Sequence, residues 1–106
     1  MAARGDLELT VLLAIQRLDH DAYGLRIRRE VSALRQRDCA VGAIYTTLMR
    51  LEEKGLVTSH TTDPLPQRGG RSRRAYTLTG DGKRALAQAR RAATRLWSLD
   101  PLGGQS

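Results

Sequence analysis

The chain has 106 residues, and its 18 Lys and Arg outnumber 11 Asp and Glu, for a formal charge of +7 and a pI near 10.7. That length holds one small domain with a modest core, and the spread of the basic excess over several segments suits a polyanionic partner better than a small acid. One cysteine and two separated histidines exclude an internal disulfide and a metal cluster; with no apolar run of spanning length and no secretory leader, a reducing cytoplasm is expected.

Residues 1–5 read as a loose leader. Leu7 to Leu18 carries apolar residues at 7, 11, 15 and 18 with 9, 12 and 13 beside them, which predicts a helix buried over most of its circumference. Asp19-His20-Asp21 is a polar break, and Asp21 can cap a second helix over about 22–35. That helix turns Ile27, Val31 and Leu34 inward and carries Arg26, Arg28, Arg29 and Glu30 on its other face. Tyr23 at its start suits a packed elbow, and Gly24 suggests close approach of another helix. After a polar connection holding Cys39, a third helix is predicted over about 41–54, with Ile44, Leu48 and Leu51 inward.

Gly55 fits a left-handed helix stop. Leu56–Thr62 is β-prone, Asp63 to Gly70 is turn chemistry with two prolines, and Arg73–Leu78 is the return strand. Thr79 can cap a last helix over about 80–98, with Leu86, Ala89, Ala93 and Leu96 on one stripe, before a frayed tail at 100–106. The chain is therefore expected to be mainly α with a small β-hairpin, in the order α-α-α-β-β-α. Such a winged helix-turn-helix divides into a DNA-binding domain at 1–79, a dimerisation helix at 80–99 and the flexible tail.

Helix three offers Ala43, Thr46, Thr47 and Arg50 on the face taken as opposite to Ile44, Leu48 and Leu51. Small residues let a helix sit deep in the major groove, where Thr meets base edges or a thymine methyl and Arg reaches guanine or phosphate. Tyr45 can give its hydroxyl to a phosphate. A plain surface helix that happens to carry threonines fits this element equally well, and the hairpin tips the balance. Arg68, Arg71, Arg73 and Arg74 crowd around Gly69-Gly70; a charge run is usually a solvated loop, but like charges held so close repel unless an anion screens them, and the position after helix three favours DNA. Trp97, with Leu96, leaves more apolar surface than a small core can use. Packing of the last helix (Ala89, Ala93, Leu96, Trp97) on the first helix of a second copy (Leu12, Ile15) would bury it. Trp97 is then either a dimer anchor or one wall of an effector cavity between copies. No nucleophile, acid–base pair or phosphate-binding glycine loop points to an enzyme, and no cofactor is implied.

Three blocks resemble the PadR family of bacterial transcription regulators, in its short single-domain branch. They are Asp21-Ala22-Tyr23-Gly24; Gly42 to Leu48 with Arg50-Leu51-Glu52 and Gly55-Leu56-Val57; and Gly69-Gly70-Arg71 with Tyr76-Thr77-Leu78-Thr79. The resemblance spans roughly residues 7–97. It implies a winged-helix homodimer joined through its first and last helices and bound to a palindromic operator in double-stranded DNA. Tyr23, Ala43, Tyr45, Thr46 and Thr47 then fall at or near DNA, Arg71 in the wing, and Trp97 at the dimer interface. It also implies repression of the chain's own and neighbouring promoters, with release by a small aromatic or cationic effector in some members. Position 46 departs from the family, where proline is frequent. The alternatives are a basic winged-helix module that binds a protein partner and a small-molecule-binding protein with a secondary DNA role.

Overall fold

A computed structural model describes residues 6–62 and 73–99 of the chain. The order is α1 (Asp6–Leu18), a 3-10 turn (Asp19–Asp21), α2 (Gly24–Arg35), α3 (Val41–Glu53), β1 (Val57–Thr62), β2 (Arg73–Leu78) and α4 (Gly80–Leu99). This is the predicted mainly helical architecture with a two-stranded antiparallel hairpin. No described helix is long and apolar enough to cross a membrane. The expected leader, the hairpin tip with Arg68 and Arg71, and the expected tail lie outside the described residues.

α1 is the central helix. Val11, Leu12, Ala14 and Ile15 are all buried, and the helix packs on α2, α3, β2 and α4. Ile27 and Val31 of α2, Ile44, Leu48 and Leu51 of α3, and Val57, Tyr76 and Leu78 of the hairpin close around it. Each large apolar side chain buried in this way contributes about 1.5–3 kcal/mol. Leu86 brings the first half of α4 into the same core. The hairpin register is Val57↔Leu78 through Thr62↔Arg73.

The start of α2 differs from the sequence expectation. Ala22 and Tyr23 are diverted to the hairpin edge, where the Tyr76 N–H donates to the Ala22 carbonyl at 2.9 Å and Tyr23 forms an isolated bridge to Ala75. The helix therefore opens at Gly24. Tyr23, in extended conformation, holds the N-cap position without a side-chain cap bond. Asp21 is not a cap; it sits in the 3-10 turn, with its carboxylate 3.5 Å from Arg26 Nη2.

α3 ends as the Lys-Gly sequence predicts. Gly55 has φ 76°, its N–H donates to the Glu52 carbonyl and that of Leu56 to the Leu51 carbonyl. Together these bonds form the glycine-dependent Schellman stop. Thr79 starts α4 as expected, its hydroxyl accepting from the Gly82 N–H at 3.0 Å and donating to the Gly55 carbonyl at 2.7 Å. Gly82 packs directly on the Leu56 carbonyl. The end of α3, the hairpin and α4 therefore meet at one tight corner.

Candidate nucleic-acid interface

The outward face of α3 is fixed by what the helix buries. Ile44, Thr47, Leu48 and Leu51 are inside. At about 100° per residue, Gly42, Thr46, Met49 and Glu53 lie within about 30° of the opposite direction, with Ala43, Tyr45 and Arg50 on the flanks. Ala43, Tyr45, Thr46 and Arg50 are exposed, as the sequence predicts. Thr47 is not. It is 5% exposed, and its hydroxyl donates to the Ala43 carbonyl at 2.8 Å. The expectation that it lies on the outer face is corrected by the helical angle, which places it beside Ile44 and Leu51. Met49, 60% exposed, stands where sequence reasoning had no reader.

Beside this face lies an open cleft of about 800 Å³ between the start of α2, α3 and the loop end of the hairpin ladder. Arg26, Arg29, Arg73 and Arg74 line it against a single carboxylate, Asp21. Tyr23, Leu25 and Tyr45 complete its wall. The Tyr45 phenol lies against Gly24 so closely that any Cβ there would overlap it. The glycine thus allows the helix approach expected of it, and the approach holds the phenol at the cleft edge. Arg73 stacks its guanidinium over the Tyr23 ring, 5.0 Å from the centroid, a cation–π geometry. Arg74 Nη1 donates to Ser59 Oγ at 3.1 Å, and Ser59 Oγ donates to Glu52 Oε2 at 2.7 Å. Both arginines are exposed, yet neighbouring side chains hold their guanidinium groups in place, which lowers the entropy lost when an anion binds.

Other arginines are structural. Arg28, expected on the outer face of α2, is half-buried and donates through Nε to the Cys39 carbonyl at 2.8 Å. It ties α2 to the connection before α3. Cys39 is buried and free, its N–H bonded to Ser32 Oγ at 3.0 Å. Among the described residues no group of three metal-ligating side chains converges.

The second surface involves α4. Leu96, Trp97 and Leu99 are exposed at 68%, 63% and 73%, and Ala93 is exposed with them. Nearer the body, Leu9, Leu12, Leu56, Ala85 and Ala89 line a mainly apolar groove of about 340 Å³ between α1 and α4. The α1 residues named as interface candidates need correcting here. Leu12 and Ile15 belong to the chain's own core, with Leu12 reaching only the groove floor and Ile15 closed off. α1 is so central to this fold that one turn of residues cannot serve both core and partner.

A model of the "Transcriptional regulator PadR-like family" matches residues 11–88. The chain belongs to that family. It is 39% identical over 90 residues to a transcriptional regulator of Mycobacterium tuberculosis, an alignment that spans 83% of this chain and 77% of that protein. It superposes on a PadR-like transcription factor of Bacteroides fragilis with a TM-score of 0.73 at 26% identity, covering 92% and 88% of the two chains. A PadR-like transcriptional regulator of Bacillus cereus shares the fold at a TM-score of 0.76 and 19% identity, with 97% and 95% covered. The winged-helix architecture and a role in DNA-binding transcriptional regulation are thus family properties of this chain.

Proposed function

We propose that this PadR-like regulator is a homodimeric repressor that reads a palindromic operator, with α3 in the major groove and the hairpin on the backbone. The observation that carries the reading is the exposed α3 face set beside a cleft lined by four arginines and one aspartate. Phosphate contacts give sequence-independent affinity and orientation, and base contacts from the helix add specificity. Arg73 and Arg74, with Tyr45 and Tyr23 at the cleft edge, are assigned to the backbone, and Ala43, Thr46 and Arg50 to the groove. Arg71 is assigned to the wing by its sequence position.

The unpartnered stripe of α4 supports dimerisation. Ala93, Leu96 and Trp97 pack on the α1/α4 groove of a second copy, and the two recognition helices then face half-sites about 34–36 Å apart. A small aromatic or cationic effector is placed at that same interface, where Trp97 would form one wall. Repression follows from occupancy of the promoter by the bound dimer.

Fluorescence anisotropy with DNA from upstream of the gene, titrated with salt, tests this. The logarithm of affinity falls with the logarithm of salt at about 0.9 per phosphate neutralised. Replacing Arg73 and Arg74 with Ala removes two contacts per protomer and four per dimer, so the slope should become shallower by about 3.6. An unchanged slope and affinity would remove the hairpin from the interface. Failure of the wild type to prefer this DNA over random duplex would favour the protein-adaptor reading.

A further inference from the structure

Two features of α3 remain unexplained by folding. Met49 projects at 60% exposure from the centre of the outward face. An unbranched apolar side chain in that place contributes nothing to the core, and a soluble helix gains more from a charged residue there. Gly42, two turns earlier on the same line, is exposed, its backbone has ordinary helical geometry, and beyond its own helix backbone and chain neighbours no atom lies within 4 Å of where its Cβ would be. No neighbour and no dihedral angle requires glycine there, and within a helix the residue is less favourable than Ala by up to about 1 kcal/mol. Thr46 lies between them. The line Gly42–Thr46–Met49 is therefore bare, then small, then apolar, and it is flanked by Arg50 on one side and by the arginine-walled cleft beyond Tyr45 on the other.

We infer that Gly42, Thr46 and Met49 form the base-reading line of this chain, with Met49 packed on a thymine methyl group in the major groove. The inference rests on the DNA reading above and gives it a base chemistry. Of the groups exposed on base edges in that groove, only the thymine C5-methyl is apolar, so it is the one feature that a thioether can cover with gain. Arg50, the next residue along the helix, supplies the fork suited to guanine O6 and N7. The half-site is therefore expected to hold a thymine beside a guanine. Gly42 leaves the first turn without a side chain, so the helix start can approach the groove wall. Glu53, one turn beyond Met49 on the same line, closes the contact there, because its carboxylate is repelled by the phosphates.

The test uses the full chain and a duplex selected by it from a random-sequence pool. Each thymine of the half-site is replaced in turn by deoxyuridine, which deletes one methyl and leaves every hydrogen-bonding group in place. One position is expected to lose about fourfold in affinity per half-site, the value of one buried methyl group. Against the Met49→Ala variant the same replacement should have no effect, while replacements elsewhere keep theirs. Gly42→Ala gives an independent reading. Its unfolding midpoint should stay level or rise, because the added Cβ meets open space and improves helix propensity, yet DNA affinity should drop at least tenfold. Equal deoxyuridine losses in wild type and Met49→Ala, at every thymine, overturn the methyl assignment. Wild-type affinity in Gly42→Ala overturns the close approach. Both results are distinguishable from failure of the DNA reading itself, in which the wild type selects no sequence from the pool.

Discussion

Replacing Gly82 with Ala tests the corner that joins the recognition helix to α4, and the sign of the effect decides it. Gly82 lies in the first turn of α4, where helix propensity by itself favours Ala by about 0.8–1 kcal/mol. A Cβ at this position would be driven into the Leu56 carbonyl oxygen, with the carbonyl carbon at 3.1 Å and Leu78 Cδ2 at 3.5 Å. The obstructing atoms are backbone, so no rotamer change relieves the overlap. That carbonyl also accepts the Thr79 N–H at 3.0 Å, and the Gly82 N–H is bonded to the Thr79 hydroxyl. Moving the first turn of α4 away costs about 1–3 kcal/mol of overpacking strain and weakens at least one hydrogen bond worth about 0.5–1.5 kcal/mol. Against the propensity gain, the net destabilisation is about 0.5–4 kcal/mol, a sizeable share of the roughly 5–15 kcal/mol typical of a domain. Urea unfolding followed by circular dichroism, with both proteins at one concentration because association shifts apparent stability, measures it. A Gly82→Ala midpoint equal to or above that of the wild type would refute the packing argument and leave propensity in charge. Gly42→Ala is the internal control, since the same substitution in open space should not destabilise.

The dimer and the hairpin core give two further predictions. Trp97→Ala should weaken self-association by a hundredfold or more, because each buried large side chain contributes about 1.5–3 kcal/mol and a two-fold interface counts it twice; sedimentation equilibrium reads the constant, and an unchanged one removes Trp97 from the interface. Tyr76 is held protonated above its ordinary 10.0 mainly by burial, with Arg74 opposing and Glu52 and Tyr45 adding to the effect. Because the native state then holds a proton that the unfolded chain releases, the contribution of Tyr76 is constant below pH 10 and is lost as pH rises through the folded value. Tyr76→Phe should flatten the alkaline loss of stability, and equal steepness in both proteins between about pH 10 and 12 would contradict this.

The element order could be read from the sequence because each boundary carries its own local chemistry. Gly55 stops α3 and Thr79 starts α4 through bonds to their immediate neighbours, and the apolar period changes from helical to alternating between Leu51 and Val57. The start of α2 could not be read in this way. Ala22 and Tyr23 are recruited by Ala75 and Tyr76, more than fifty positions away, and no local signal announces that pairing. Within α3 the error was of another kind. The hydroxyl of Thr47 suggests an outward position, whereas the angle set by Ile44, Leu48 and Leu51 turns Thr47 inward and Met49 outward. Arg28 shows the same limit, since its sequence position on a charged face gives no hint that the Cys39 carbonyl awaits it. Composition assigned these residues a role where geometry alone could.

The spacing of the two readers in the proposed dimer depends on how firmly α4 is set against α3. α4 has 20 residues, so it is about 30 Å long, and a 10° tilt at its foot displaces its far end by about 5 Å. Adjacent base pairs are about 3.4 Å apart along the duplex. A loose foot would therefore blur the half-site spacing by more than one base pair. One connection holds it directly, and a second braces α3 against α1. The Lys54 ammonium bonds both Glu8 carboxylate oxygens, at 2.9 and 3.0 Å, and links the end of α3 to α1, but a partly exposed pair of this kind contributes only about 0.2–1 kcal/mol and weakens with salt. The corner of Gly55, Leu56, Thr79 and Gly82 is held by backbone contact and three hydrogen bonds, which salt does not screen. Operator spacing should accordingly survive a salt titration that erodes the phosphate contacts, because the angle is set by packed backbone and the affinity by exposed charge.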